Sequence, residues 1–275
     1  MAVELFDSHC HIQSAGLSVG ERATRERWAK LVDPSGDAII ERARTAGVTR
    51  MLCVGCDAAD SELAIEFVKS RENCWASIGI HPHESQHYAG NRPRLDAFAA
   101  LAEHPKVVAV GECGLDYFYT HSPKEVQTEI LRFQIELAQR HDLPMVFHVR
   151  EAFDDFWPIF EEYHEKRPIR GVLHSFTDSQ ANLERATRHS LYIGVNGIAT
   201  FAKSDVQQAM YRAIPLEHLL LETDAPFLTP HPDRGNICEP YHVRTIAEFL
   251  SNHRGDTVET IAEVTTQNAR QLFRV

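Results

Sequence analysis

Eight short apolar runs alternate with amphipathic stretches along the whole chain, and this alternation limits the fold more than any other feature of the sequence. The runs predict strands at Val3–Asp7, Arg50–Val54, Cys74–Ile80, Val107–Glu112, Pro144–His148, Gly171–His174, Leu191–Val195 and Leu219–Glu222. The intervening stretches predict helices at Asp37–Ala46, Ser61–Ser70, Pro93–His104, Ser122–His141, Phe153–Glu165, Ser179–His189, Ser204–Ala213 and Tyr241–Ser251. In Ser122–His141, Ser122 is the expected cap, Pro123 suits the first turn and Glu125 the third helical position. Ile130, Leu131, Ile135, Leu137 and Ala138 give that helix an apolar face. Residues 14–36 show no clear pattern and read as a long loop or extra turn. Strand and helix repeated eight times over about 250 residues describe an α/β chain folded as a (β/α)8 TIM barrel, here one domain over residues 1–275. An open doubly wound sheet also alternates, but it normally advertises a glycine-rich phosphate turn after strand 1, and this sequence has none there.

Composition narrows the function. Lys and Arg number 28 against 39 Asp and Glu, a formal net charge of −11, which argues against coating nucleic acid with a broad basic surface. A small site where metal ions supply the positive charge remains compatible with that balance. No apolar run approaches the ~18 residues of a membrane span, and the N-terminus carries no signal-peptide pattern. Six cysteines in 275 residues are too few for a disulfide scaffold, so the expected setting is a reducing cytoplasm. Cys53-Val54-Gly55-Cys56 has no partner pair elsewhere and reads as two reduced thiols at a strand end rather than a zinc knuckle.

The unusual count is 16 histidines, and their placement carries the functional reading. Strand 1 runs into Asp7-Ser8-His9-Cys10-His11, and strand alternation sends Asp7, His9 and His11 to one face. Glu112, His148 and His174 end strands 4, 5 and 6, and Asp224 lies just past strand 8. Barrel enzymes carry their chemistry at these C-terminal strand ends. A lone strand-end histidine is usually a hydrogen-bonded packing residue, and a lone Glu112 could simply pair with an arginine. Six such residues on one rim are too many polar groups to bury without partners or metal. Six ligands also exceed what one ion uses while keeping a position open. His9, His11 and Asp224 can therefore hold one ion, and His148 and His174 a second, with Glu112 as the bridge. Two ions so placed suit hydrolysis of phosphodiesters, esters or amides. The mixed imidazole and carboxylate set does not by itself name the metal among Mg²⁺, Mn²⁺ and Zn²⁺.

These segments, with Gly79-Ile80-His81-Pro82-His83, Gly111-Glu112-Cys113-Gly114-Leu115-Asp116-Tyr117, Pro144-Met145-Val146-Phe147-His148-Val149-Arg150, Gly171-Val172-Leu173-His174-Ser175-Phe176 and Leu221-Glu222-Thr223-Asp224-Ala225-Pro226-Phe227-Leu228, resemble the TatD-type metal-dependent DNases. The likeness runs from Asp7 to Asn268. It implies a metallo-dependent hydrolase-like barrel whose metal ligands are His9, His11, Glu112, His148, His174 and Asp224. It further implies a Mg²⁺-dependent nuclease, with Zn²⁺ or Mn²⁺ as alternatives, working from the 3′ end of single-stranded DNA or RNA. Asp224 would double as general base toward the attacking water, with Glu112 as the other catalytic residue. Where such proteins usually read Arg-Gly-Lys-x-Asn-x-Pro, this chain has Arg234-Gly235-Asn236-Ile237-Cys238-Glu239-Pro240, and Asp178 stands where glycine is frequent. Both departures lie in loops and bear on substrate preference.

Arg150 shares a strand face with His148 and suits a phosphate oxygen, against the plainer reading of a salt bridge. His81 is a candidate substrate contact or turn residue, as is His83. Lys203 can meet a phosphate or be a solvated surface lysine. Glu222 and Asp116 read as supports for a ligand or as ordinary buried hydrogen-bonding groups. Tyr117, Phe118, Tyr119 and Phe176 can stack with bases or pack in the core. The expected partner is a nucleic-acid 3′ end, with no membrane and no obligate protein partner. A metal-dependent ester or amide hydrolase, such as an aminoacyl-tRNA deacylase, is the alternative that the metal ligands alone do not exclude.

Overall fold

The computed structural model describes residues 4–119 and 121–275. The chain opens with β1 (Leu5–Cys10), α1 (Arg22–Trp28), α2 (Gly36–Thr45), β2 (Val48–Val54), α3 (Ala58–Val68) and β3 (Cys74–Ile78). It continues with α4 (Arg92–Ala100), β4 (Val107–Asp116), α5 (Lys124–His141), β5 (Met145–Arg150), α6 (Phe153–Lys166) and β6 (Gly171–Leu173). It ends with α7 (Gln180–Arg188), β7 (Tyr192–Val195), α8 (Asp205–Ala213), β8 (Leu219–Leu221), α9 (Val243–Arg254) and α10 (Val258–Phe273). Val3, where the sequence starts strand 1, lies outside the described residues. Among the described residues the eight strands follow one another in chain order in one sheet, and the pairs β1–β2, β3–β4, β4–β5, β5–β6 and β7–β8 are parallel. This is the strand order of the (β/α)8 fold that the alternation predicts.

The chain forms two compact units, Val54–His174 and the described part of Met1–Cys53 with Ser175–Val275. In the second of these, the chain beyond β8 returns to β1. Asp224 N–H donates to His9 O at 2.8 Å, His11 N–H to Ala225 O at 2.8 Å, and the Ser8 hydroxyl to Leu221 O at 2.9 Å. Helix α10, which the sequence reading leaves out, packs on β1 and β8. Its buried face mixes Ile261, Ala262, Ala269 and Leu272 with Thr265, Thr266 and Asn268, so the apolar stripe is broken. The polar members still have partners: Asn268 Nδ2 donates to Leu216 O and Leu219 O, both at 2.9 Å, and Thr266 Oγ1 to Glu4 O at 3.1 Å. Residues 14–36 contain the short helix α1, whose Trp28 is fully buried and donates from Nε1 to His11 O at 3.0 Å.

In the Val54–His174 unit, β4 runs four residues beyond the predicted Glu112, to Asp116. Glycine and acidic residues weaken strand propensity, yet β5 pairs with this extension through Cys113–Phe147, Gly114–His148, Leu115–Val149 and Asp116–Arg150. Gly114 is required here, because a Cβ would collide with the carbonyl oxygen of His148. Helix α5 starts differently from expectation. Pro123, not Ser122, occupies the cap position and gives no side-chain bond. The Ser122 hydroxyl is instead engaged by the loop ahead of α4, donating to His83 O at 2.8 Å and accepting from Gln86 N–H at 3.2 Å.

Candidate metal centre

The strand alternation in β1 brings His9 and His11 to one side, as the sequence predicts, and the turn after β8 supplies Asp224. That turn puts Asp224 at a φ of 63°, a left-handed conformation that aspartate adopts more readily than most residues. The bond from its N–H to His9 O holds the carboxylate against the imidazoles. His9 Nε2 and His11 Nε2 are 3.2 Å apart, and Asp224 Oδ1 is 3.2 Å from His11 Nε2 and 3.6 Å from His9 Nε2. Donor atoms about 2.0–2.2 Å from one ion lie roughly 3.0–3.6 Å from each other. The three atoms fit a single coordination sphere. Asp7, expected on the same face, serves differently: it is fully buried and accepts from Thr223 Oγ1 at 2.6 Å, Thr223 N–H at 3.0 Å and His9 N–H at 3.3 Å. Burial pushes its carboxyl up to about 8 against those hydrogen bonds. Asp7 thus fixes the backbone on either side of the donor set rather than joining it.

The Val54–His174 unit carries a second donor group around Glu112. Its Oε1 lies 2.7 Å from His148 Nδ1, 3.1 Å from His174 Nε2 and 3.6 Å from His81 Nε2. Burial would raise the Glu112 carboxyl, but His174, His81 and His148 outweigh it and hold the group well below the usual range. His81, Glu112 and His148 offer ligand atoms within 4.8 Å of one another, so His81 stands at the donor group itself. Burial drives the His81 pKa well down against the attraction of Glu112. Its Nδ1 accepts from His83 N–H at 3.2 Å, which turns Nε2 toward Glu112.

Asp116, left open by the sequence between support and ordinary hydrogen bonding, is the most heavily used carboxylate here. Oδ2 faces His148 Nε2 at 3.0 Å and His83 Nε2 at 3.1 Å, while Oδ1 accepts from Phe118 N–H and Tyr119 N–H, both at 3.0 Å. Burial opposes ionisation, but these bonds keep its carboxyl far below the ordinary range. His148 is thereby gripped by carboxylates on both ring nitrogens. Burial would lower its pKa, and the Asp116 and Glu112 bonds overcome that and raise it.

Gln134 and Gln127, which the sequence reading passes over, lock the backbone of this group. Gln134 donates to Ile80 O at 2.9 Å and accepts from Ile80 N–H at 2.8 Å, fixing the residue before His81. Gln127 accepts from Asp116 N–H at 2.8 Å and donates to Asp116 O at 3.0 Å. Both are fully buried, and their spacing of seven on the apolar side of α5 was the available signal. In the other unit, Glu222 Oε1 accepts from Ser175 N–H at 2.6 Å, securing the residue after His174, and Asn196 Nδ2 donates to Ser175 Oγ at 2.9 Å. The remaining substrate candidates lie elsewhere. Arg150 is exposed and stacks its guanidinium on Phe118, 3.9 Å from the ring centroid. Lys203 is exposed ahead of α8, and among the described residues it has no hydrogen bond or ion pair. Among the described residues no disulfide joins the six cysteines. Among the described residues no helix is long and apolar enough to cross a membrane.

The family model for TatD-related DNases matches residues 6–274. The chain is 35% identical over 98% of its length to an uncharacterized metal-dependent hydrolase, YabD, of Bacillus subtilis, covering 99% of that protein. It is 33% identical to the 3′–5′ ssDNA/RNA exonuclease TatD of Salmonella typhimurium, over 94% of this chain and 99% of the other. Among solved structures, the TatD homologue YjjV of Escherichia coli K12 superposes with a TM-score of 0.85 at 27% identity, over the whole of both chains.

Proposed function

This chain belongs to the TatD-related DNase family of metal-dependent hydrolases, and from that membership we propose a divalent-metal-dependent 3′–5′ exonuclease acting on single-stranded DNA or RNA. The observation that carries the reading is the spacing of His9 Nε2, His11 Nε2 and Asp224 Oδ1, 3.2–3.6 Å from one another. They would hold one ion, and Glu112, His148 and His174 would hold another, with Mg²⁺ as the working metal. Divalent ions bound there supply Lewis acidity to a phosphoryl oxygen and lower the pKa of the attacking water. The exonuclease activity of the Salmonella relative, at 33% identity over nearly the full chain, supports a nucleic-acid substrate.

The chain's own residues divide the remaining work. Asp224 is the base: its side chain keeps 17% of its surface in water, against 8% for His11 and none for His9, so it is the member of its group most open to water. Glu112 gathers three imidazoles on one oxygen. Asp116 fixes the His148 ring from its far nitrogen, as carboxylates behind metal-bound histidines do.

Metal-stripped protein is incubated with a 5′-labelled single-stranded oligonucleotide after separate addition of Mg²⁺, Mn²⁺ or Zn²⁺. A ladder shortening from the 3′ end is expected, absent in EDTA and in Asp224→Ala. An intact oligonucleotide under every metal, with folded and metal-loaded protein, refutes the proposal.

A further inference from the structure

Of the large apolar side chains that remain exposed among the described residues, two are aromatic, Phe118 at 49% and Tyr119 at 43%. They are chain neighbours, their rings pack edge to face with centroids 4.7 Å apart, and both lie against Arg150. The guanidinium carbon is 3.9 Å from the Phe118 centroid and 5.0 Å from that of Tyr119. Scattered single exposed apolar residues need no explanation. Two adjacent half-exposed rings with a stacked guanidinium call for one, because leaving them in water forgoes the free energy of burial.

Arg150 makes no ion pair or hydrogen bond through its guanidinium among the described residues. The carboxylate of nearby Asp155 is engaged by the Tyr117 hydroxyl at 2.8 Å. In a chain of net charge −11, this cation is held by aromatic faces and keeps its donors for an anion. A planar cation on an aromatic face with open donors suits a phosphate on one side and a base on the other. The loop that carries the rings is also pre-set. Phe118 N–H and Tyr119 N–H both donate to Asp116 Oδ1, and Oδ2 of the same carboxylate holds His148. One buried side chain therefore fixes the distance between the aromatic pair and the donor group around Glu112. His83 extends the row of rings, 4.3 Å from His81 and 5.5 Å from Tyr119 between centroids.

We propose that Phe118, Tyr119 and Arg150 form a seat for one unpaired nucleotide, the base stacking on the rings and its phosphate meeting the guanidinium, with Asp116 setting the seat's position relative to His148. The proposal rests on the nuclease reading for its substrate class. Stacking takes any base but only an unpaired one, so the seat makes the protein indifferent to sequence and selective for single strands.

The test is equilibrium binding in EDTA, read by fluorescence anisotropy of a labelled short oligodeoxythymidylate and of the same oligonucleotide with abasic residues at its 3′ end. Wild type is expected to bind the base-bearing strand about tenfold or more tightly than the abasic one. In Phe118→Ala/Tyr119→Ala that ratio falls to about one, and Phe118→Trp restores it. All three side chains are exposed, so circular dichroism should show the variants folded. Arg150→Ala is expected to weaken both strands and to flatten the salt dependence by about one phosphate contact. A double variant that keeps the wild-type ratio overturns the seat. Cleavage is scored separately. A wild type that prefers bases in EDTA but cuts under no metal supports the seat and defeats the nuclease reading, while cutting without base preference does the reverse.

Discussion

Asp116→Asn tests whether a carboxylate behind His148 decides which ring nitrogen can bind metal. The substitution keeps the shape, and the amide oxygen can still accept from Phe118 N–H and Tyr119 N–H. What changes is the other arm, where Oδ2 faces His148 Nε2 at 3.0 Å and His83 Nε2 at 3.1 Å. With Nε2–H donating to that oxygen, Nδ1, 2.7 Å from Glu112 Oε1, is the nitrogen that would offer a lone pair to an ion. An amide –NH2 in its place donates, so the favoured His148 tautomer carries its proton on Nδ1 and the ligand lone pair is lost. Restoring the ligating tautomer sets N–H against N–H and forfeits a charge-assisted hydrogen bond, a cost of about 1.5–3 kcal/mol. That corresponds to roughly a 10- to 150-fold loss of metal affinity, in line with the 10- to 100-fold typical of such outer partners. The assay is competition for Zn²⁺ against a fluorescent chelator, with thermal melting of the metal-free proteins as the folding control. Metal affinity within about twofold of wild type, in a variant that melts normally, would show that Nδ1 is not the ligating atom and that Asp116 does not set the tautomer.

Two further outcomes follow from the same geometry. His148 has a raised pKa in the metal-free protein, so its pairing with Asp116 and Glu112 stabilises the fold below the ordinary histidine value of 6.5 and is lost as pH rises through the raised value. With His148 as a ligand, as proposed, metal binding would displace a proton from this ring. The melting temperature gained on adding Zn²⁺ should therefore grow between about pH 6 and 8, and a gain that shrinks over that range contradicts the assignment. Gln134→Ala strips the partners from the buried N–H and C=O of Ile80. The expected cost is about 2–5 kcal/mol, a fall of roughly 3–9 °C in Tm for a chain this long. A melting temperature within 1 °C of wild type would mean that water replaces the glutamine.

The strands could be read from the sequence because a strand covered on both faces appears as a continuous apolar run, and β8 and the Met51–Val54 part of β2 are such runs. Reading failed where chemistry intrudes on the pattern. The end of β4 alternates Glu112, Gly114 and Asp116 on one face with Cys113 and Leu115 on the other, and all five are buried. A pattern that places polar groups inside looks like the end of a strand until their partners are known. The prospective ligands were visible because the alternation predicts each at or just past a strand end, although β4 runs four residues beyond Glu112 and β5 two beyond His148. Their supports were not, since a support is defined by its partner. Asp116 is 32 residues from His148 and 33 from His83, and no local spacing distinguishes it from a surface carboxylate.

Gln127 and Gln134 show the converse. Each sits among Ile130, Leu131 and Ile135 on the buried side of α5, where an unpartnered amide is costly. Their position alone therefore required partners, and because they are two amides seven residues apart on one helix face, those partners had to lie along one line beside the helix. That line is the backbone at Ile80 and Asp116, next to His81 and near His148. The two kinds of support also separate experimentally. Losing Asp116's charge is expected to act on the tautomer of a donor and to move metal affinity, while losing Gln134 is expected to act on strand-end backbone and to move stability. If both substitutions changed only the melting temperature, the carboxylate would be a packing group like the amide, and the case for His148 as a metal ligand would lose its strongest support.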